Sequence, residues 1–196
     1  MTLVAPVSAL AGDGDDERGL AEAARRSPDA FAVLYRRYVG RIHAFAYRRS
    51  GSREVAEEVT SATFERAWKA MPSFEWKGGG FGPWLFAIAA REVAAWYRRS
   101  ARHNQPRAQR ALRLVAPEGA HHDDDRVDRD DDLAAFRVAL SSLAPRYQDA
   151  ISLRHLAGLE ADEAAAALGC SKAVLAVTLH RAKAALRRAM AARRQP

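Results

Sequence analysis

The amino-acid sequence predicts an all-α protein made of two small helical domains joined by a flexible linker. Three observations predict it. Apolar residues recur at three- and four-residue steps along most of the chain. No alternating segment of convincing strand length occurs. The helical period fails over one internal charge run, "HHDDDRVDRDDD". The expected organisation is a disordered tail over 1–18, a first domain over 19–102, a charged linker over 103–132, a second domain over 133–192 and a short tail over 193–196.

Residues 1–18 mix Ala, Gly, Asp and Pro without period, the composition of a disordered end. Ser27-Pro28-Asp29 then reads as a helix start: a capping serine, followed by proline at the first helical position, where its missing N–H is no loss. Behind it Phe31, Leu34, Tyr35, Tyr38, Ile42 and Phe45 form one apolar face. Gly51 ends that helix. Ser52 caps the next, which runs to about Met71 with Val55, Val59, Ala62, Thr63 and Ala67 inward and Glu54, Glu57, Glu58 and Glu65 outward. The loop "SFEWKGGGFGPWLF" places five aromatics around three consecutive glycines, and Pro83 opens a third long helix through "WLFAIAAREVAAWYRRSAR". Beyond the linker the period resumes at Leu133, Phe136, Leu140 and Leu143. Pro145 opens a helix closed by Gly158, "EADEAAAAL" forms a short one, and the last runs from Lys172 to about Ala192.

Composition narrows the function classes. The chain has 196 residues and a formal charge of +7, which favours a polyanionic partner only weakly by itself. A single cysteine, Cys170, allows no internal disulfide and no multi-cysteine metal site, as in a reducing, cytosolic compartment. No signal peptide and no apolar run of spanning length is present, so a soluble, cytoplasmic protein without a membrane partner is expected. His121 and His122 beside three aspartates read as solvated linker, since no scaffold there would hold a metal geometry. With six scattered histidines and no phosphate-cradling motif, no catalytic residue and no cofactor is expected.

The C-terminal stretch "LEADEAAAALGCSKAVLAVTLHRAKAALRRAM" has the layout of a helix-turn-helix. A short helix ends at Leu168, Gly169 admits the left-handed turn conformation, and Ser171 caps the second helix. Leu175, Leu179, Ala182 and Leu186, spaced four, three and four, form its inward stripe. From Lys172 to the end stand seven basic residues and no acid: Lys172, Arg181, Lys183, Arg187, Arg188, Arg193 and Arg194. Such one-sided charge suits phosphate contacts, and equally a solvated helix end where cations favour the macrodipole. Cys170, in the turn, reads as a small buried hydrophobe.

Taken together, both units resemble a known family. "FAVLYRRYVGRIHAFAYRRSGSREVAEEVTSATFERAWKAM" resembles the first conserved domain of bacterial RNA polymerase sigma factors of the extracytoplasmic-function (ECF) group. "PWLFAIAAREVAAWYRR" resembles the promoter-melting and minus-ten-reading segment of that domain. "LAPRYQDAISLRHLAGLEADEAAAALGCS…LHRAKAALR" resembles the second conserved domain, which reads the minus-thirty-five element. The resemblance covers about 29–102 and 133–188 and implies a sigma region 2-like bundle and a region 4-like helix-turn-helix. It also implies core RNA polymerase (beta-prime and beta subunits) and promoter DNA, duplex and melted, as partners, and an anti-sigma protein as a further one.

By that resemblance Glu57, Glu58, Thr63, Phe64 and Trp68 would meet the polymerase beta-prime coiled coil. Trp76, Phe81, Trp84, Arg91, Arg98, Arg99 and Arg102 would serve the minus-ten region, with aromatic rings stacking on unpaired bases. Trp76, flanked by Glu75 and Lys77, is the expected exposed ring, whereas Trp84 and Phe86 read as core. Trp96 and Tyr97 are open between core and DNA, and Gly78 to Gly80 between close nucleic-acid approach and a slack connection. Ser171, Lys172, Ala173, Val174, Val177, Thr178, Arg181 and Lys183 would face the minus-thirty-five element.

Two stretches depart from the family pattern. In "VAEEVTSATF" Val55, Ser61 and Ala62 stand where acids and a glutamine are usual. In "SKAVLAVTL" Val174, Ala176, Val177 and Thr178 replace mostly polar or cationic residues, which weakens base-edge hydrogen bonding. Glu160 stands where serine usually caps the short helix. Two rival readings accompany the sigma factor: a helix-turn-helix regulator acting without polymerase, and a helical protein-interaction adaptor.

Overall fold

The structure, a computed structural model, describes residues 14–76, 79–103 and 124–194. Helices α1 (Gly14–Ala24), α2 (Pro28–Ser50), α3 (Arg53–Ala70) and α4 (Phe81–His103) form the first unit. Helices α5 (Asp124–Ser141), α6 (Pro145–Ile151), α7 (Ala161–Leu168) and α8 (Lys172–Arg194) form the second. Among the described residues there is no strand, and no helix long and apolar enough to cross a membrane.

Local chemistry sets the helix ends. The Ser27 hydroxyl accepts from the Ala30 N–H (3.3 Å) and Ser52 accepts from the Val55 N–H (3.3 Å), each satisfying a donor that the helix itself cannot. Gly51 stops α2 at φ 74°, and Gly169 stops α7 at φ 64°, conformations that a side chain disfavours. Glu160, unusual as a cap by sequence, is served from the other side: its N–H donates to the Glu163 carboxylate at 2.7 Å. α6 continues through a π-helical turn, Ser152–Leu156, before Gly158 breaks it.

Two expected boundaries move. The tail assigned to 1–18 gives way to α1 from Gly14, because polar side chains tie α1 to α2. The Tyr38 hydroxyl donates to Glu17 (3.0 Å), and Arg37 donates to Asp16 (3.3 Å). The linker assigned to 103–132 gives way to α5 from Asp124, nine residues before the expected Leu133. Its start lacks an apolar face, but acids favour the positive end of a helix dipole. The rest of the linker, with His121 and His122, lies outside the described residues, as do the tail before Gly14 and residues 195–196.

The two units, both present as expected, also share one continuous core. Leu34, Ile42, Phe45, Leu85 and Phe86 of the first unit cluster with Leu153, Leu159, Ala164 and Leu175 of the second. The second unit's own cluster is small, centred on Leu140, Ile151 and Ala182. Its helices are too rich in alanine to bury enough surface among themselves, and the apolar face of α4 supplies the remainder.

The junction also has a polar hub at the end of α2. Arg49 is 3% exposed. Its guanidinium donates to the Gln148 side-chain carbonyl and lies 4.9 Å from the Tyr97 ring centroid. The Tyr97 hydroxyl donates back to the Arg49 carbonyl (3.0 Å), and Arg137 donates to the Arg48 carbonyl (3.1 Å). Gly51 makes room for that arginine, since a Cβ there would fall 2.8 Å from the Arg137 guanidinium. Asp149 sits half-buried beside this hub. Burial pushes its carboxyl above the usual carboxylate range, against the opposing pull of Arg49, Arg91 and Arg98.

Two outcomes follow from this hub. Arg49→Ala removes the shared donor and should lower stability by roughly 1–3 kcal/mol. It should also enlarge the radius of gyration in small-angle scattering as the units part; an unchanged scattering curve would contradict the hub's role. Asp149 has a raised folded-state pKa, so its ionised form weakens the fold as pH rises through that value. Asp149→Asn should therefore raise the thermal midpoint at pH 7. The gain should vanish below about pH 4, where the carboxyl is protonated in both states. Thermal melts across that range provide the check.

Candidate functional site

Three surfaces carry the residues singled out by sequence. The first lies on α2 and α3. Phe31 packs edge-on to Trp68 (5.0 Å between centroids), and Tyr35 packs against Phe64 (4.7 Å). Trp68 and Tyr35 are each 43% exposed, unusual for rings that large. Glu57 and Glu65 border the ridge, both exposed, so it combines apolar area with carboxylates, each paired within α3 to a cation: Glu57 to Arg53 (3.5 Å) and Glu65 to Lys69 (2.5 Å). Three of the expected contacts sit differently. Thr63 is fully buried, its hydroxyl donating to the Val59 carbonyl at 2.7 Å, a bond that keeps a polar group satisfied inside the helix packing. Phe64 is 5% exposed and supports Tyr35 from below. Glu58 turns toward α4, pairing with Arg99 (3.0 Å) and accepting from the Trp96 indole N–H (3.0 Å). Tyr35, read from its spacing as inward, is the residue sequence reasoning missed.

The second surface is the aromatic loop with α4. Phe81 is fully buried, in contact with Tyr38 (5.4 Å) and Phe74 (5.9 Å), so in this arrangement it anchors the loop from inside. Trp84 is half-buried against Phe74 (4.8 Å), and Phe86 is core. Trp76 is half-buried rather than fully exposed, because its ring folds over Gly80. A Cβ at Gly80 (φ +91°) would fall 2.8 Å from that ring, so this glycine permits both the backbone turn and the aromatic contact. Lys77 and Gly78 lie outside the described residues, as does the Arg102 side chain. Trp96 and Tyr97 are half-buried and hydrogen-bonded within the protein, to Glu58 and to the Arg49 carbonyl.

Trp84, Arg91 and Arg98 recur at seven-residue steps and so share one face of α4. That face is turned toward the second unit. Trp84 and Arg91 line a crevice whose opposite wall is Ala166 to Gly169, at the end of α7 and its turn. Further along, Arg91 and Arg98 act on Asp149.

The third surface is the outer face of α8. Leu175 and Ala182 are buried, with Leu179 and Leu186 packed beside them, as the inward stripe requires. Ser171 caps the helix by accepting from the Val174 N–H (3.3 Å). Lys172, Ala173, Val174, Val177, Arg181 and Lys183 are exposed, with Thr178 half-exposed. The side chains of Arg193 and Arg194 lie outside the described residues. Cys170 is half-buried against the core. No group of His, Cys, Asp and Glu able to hold a metal occurs among the described residues.

The loop geometry makes one direct prediction. Gly80→Ala should displace the Trp76 ring and strain the turn, lowering stability by about 1–3 kcal/mol. Tryptophan emission should shift toward that of a solvated ring, read against a Trp76→Phe background. Unchanged emission with an unchanged melting temperature would refute the contact.

Comparison with known proteins agrees with this layout. Residues 34–103 match Sigma-70 region 2, and residues 133–186 match Sigma-70, region 4. The ECF RNA polymerase sigma factor BldN of Streptomyces coelicolor is 32% identical over 82% of this chain; the chain spans 60% of that protein's length. The RNA polymerase sigma factor CarQ of Myxococcus xanthus is 30% identical over 81% of this chain and 88% of its own. The Bartonella quintana sigma factor RpoE, solved with the anti-sigma factor NepR, superposes with a TM-score of 0.52 at 25% identity, over 82% of this chain and 96% of that one. With both regions present in order, on a helical bundle followed by a helix-turn-helix, the chain belongs to the ECF-type sigma factors of the sigma-70 family.

Proposed function

We propose that the chain is an initiation factor that binds core RNA polymerase, directs it to particular promoters and helps open the duplex. The observation that carries this reading is the segregation of chemistry along one chain. An acidic, aromatic ridge stands on region 2, and a basic helix-turn-helix stands on region 4. Acid repels phosphate, so the α2–α3 ridge suits a protein contact, with Trp68 and Tyr35 as anchors and Glu57 setting register. The basic end of α8 suits duplex phosphates. The reading gives the chain no bond-making or bond-breaking role.

The packed arrangement is then a resting form. Minus-ten and minus-thirty-five elements lie about 25 base pairs apart, or roughly 85 Å of duplex at about 3.4 Å per step. Here α7 lies against α4, with Trp84 half-buried and Arg91 lining the crevice between them, so the end of α7 crowds the face that Trp84, Arg91 and Arg98 share. Both elements cannot be held until the units part. An anti-sigma partner such as the one seen with RpoE would act by favouring the closed form.

Reconstituted transcription on a genomic library, with bacterial core polymerase present or absent, tests the reading. RNA is expected only when chain and polymerase are combined. Trp68→Ala should weaken the joint particle about tenfold or more, as the loss of an aromatic anchor does. Trp76→Ala should leave the particle intact and depress opening, measured by permanganate reactivity of unpaired thymines. Promoter binding of full strength without polymerase would favour a simple regulator instead.

A further inference from the structure

The outer face of α8 is well formed but offers little hydrogen-bonding capacity near its N-terminus. Val174 is 54% exposed and Val177 52%, and Ala173 and Ala176 beside them are also exposed. The polar side chains interspersed with them are already occupied. The Ser171 hydroxyl accepts from the Val174 N–H (3.3 Å), and the Thr178 hydroxyl donates to the Val174 carbonyl (2.8 Å). Lys172 pairs with Asp162 across the turn at 2.9 Å. What remains facing outward is two isopropyl groups, flanked by small residues that let the backbone approach closely.

This apolar patch is set in positive charge. Arg181, Lys183, Arg187 and Arg188 follow on the same helix, all exposed, and no acid occurs from Lys172 to the end of the chain. That surround selects a polyanion over a second apolar protein face. A major groove offers one apolar feature on a polyanion: the C5-methyl group of thymine.

We infer that Val174 and Val177 read thymine methyl groups in the minus-thirty-five element, so that this unit's specificity is apolar rather than built on base-edge hydrogen bonds. The inference rests on the sigma-factor reading above. The two valines stand three residues apart, about 4.5 Å along the helix axis at about 1.5 Å per residue. That is close to one base-pair step, so the methyls belong to neighbouring pairs. Arg181, a full turn beyond Val177, reaches the phosphate flank and holds the register.

Deoxyuridine supplies the test, because it lacks only the methyl and keeps every hydrogen-bonding group of thymidine. Promoters selected from a genomic library by the chain with core polymerase are resynthesised with deoxyuridine at single upstream positions. Holoenzyme binding should fall about three- to fourfold at one or two adjacent positions, the worth of one buried methyl. Val174→Ala or Val177→Ala should weaken binding to the thymidine template by a similar factor and abolish sensitivity to deoxyuridine at its own position. Both sites are exposed, so folding should change little, which thermal melts verify. Equal binding of thymidine and deoxyuridine templates at every upstream position would overturn the inference while leaving the sigma-factor reading intact. So would an alanine variant that still senses the methyl, or one that loses a protein partner and keeps its DNA affinity. No RNA and no joint particle with polymerase from any template would remove the parent reading and this inference with it.

Discussion

The last carbonyls of α2 are the point on which the two halves of this protein depend. A helix cannot satisfy its own C-terminal carbonyls. Here the Arg48 carbonyl accepts from Arg137 of the second unit, and the Arg49 carbonyl accepts from Tyr97 of α4. Gly51 does two jobs at this place: its left-handed backbone turns the chain away, and its missing side chain admits the Arg137 guanidinium. Arg49 then buries its own charge between Tyr97 and Gln148. Gln148 in turn donates to the Ser141 and Leu143 carbonyls, so the α5–α6 turn is shaped by the residue that meets Arg49. The buried guanidinium relies on the Gln148 hydrogen bond and the Tyr97 ring, so loss of Gln148 alone would strand the charge, whereas a concerted parting lets water solvate every group.

That balance suits the proposed role. The apolar part of the junction joins large side chains of the first unit, Leu85 and Phe86 among them, to Leu153, Leu159 and Leu175, while the buried residues of α7 are only the small Ala164 and Ala165. Inter-domain contacts of this sort favour one arrangement without locking it. The closed form half-buries Trp84 and sets Arg91 in the crevice against α7, with Arg91 and Arg98 still exposed, and it leaves the α2–α3 ridge and the outer face of α8 open to solvent. Under the proposed function, polymerase and the upstream element would find their surfaces formed, whereas the crevice around Trp84 would open fully only on separation.

The sequence showed the local features well because they follow from short-range rules. The caps at Ser27, Ser52 and Ser171, the breaks at Gly51 and Gly169, and the inward stripe of α8 all lie where periodicity and capping place them. Single faces of long helices were harder to read. Helix α2 carries Leu34, Tyr35 and Tyr38 within two turns, and a stripe that wide leaves its edge residue ambiguous; Tyr35 is that edge and faces out. Thr63 and Phe81 fit functional motifs by type and position, yet packing consumed both: one by a backbone hydrogen bond, the other by a nest of rings. Glu58 was legible as exposed, but not as the partner of Arg99 and Trp96, which stand about forty residues away.

By itself the sequence determined the helical class, the order of the two units, the helix-turn-helix and the apolar character of its outward face, since each is written in spacing of three and four residues and in single capping positions. Tertiary structure alone decided that the units share a core, that Arg49 and Asp149 lie inside the junction, and which rings stay open to partners. The physical reason is range. Caps and periodicity act within a turn or two of helix, whereas burial and charge pairing depend on residues that meet only after the chain has folded back on itself.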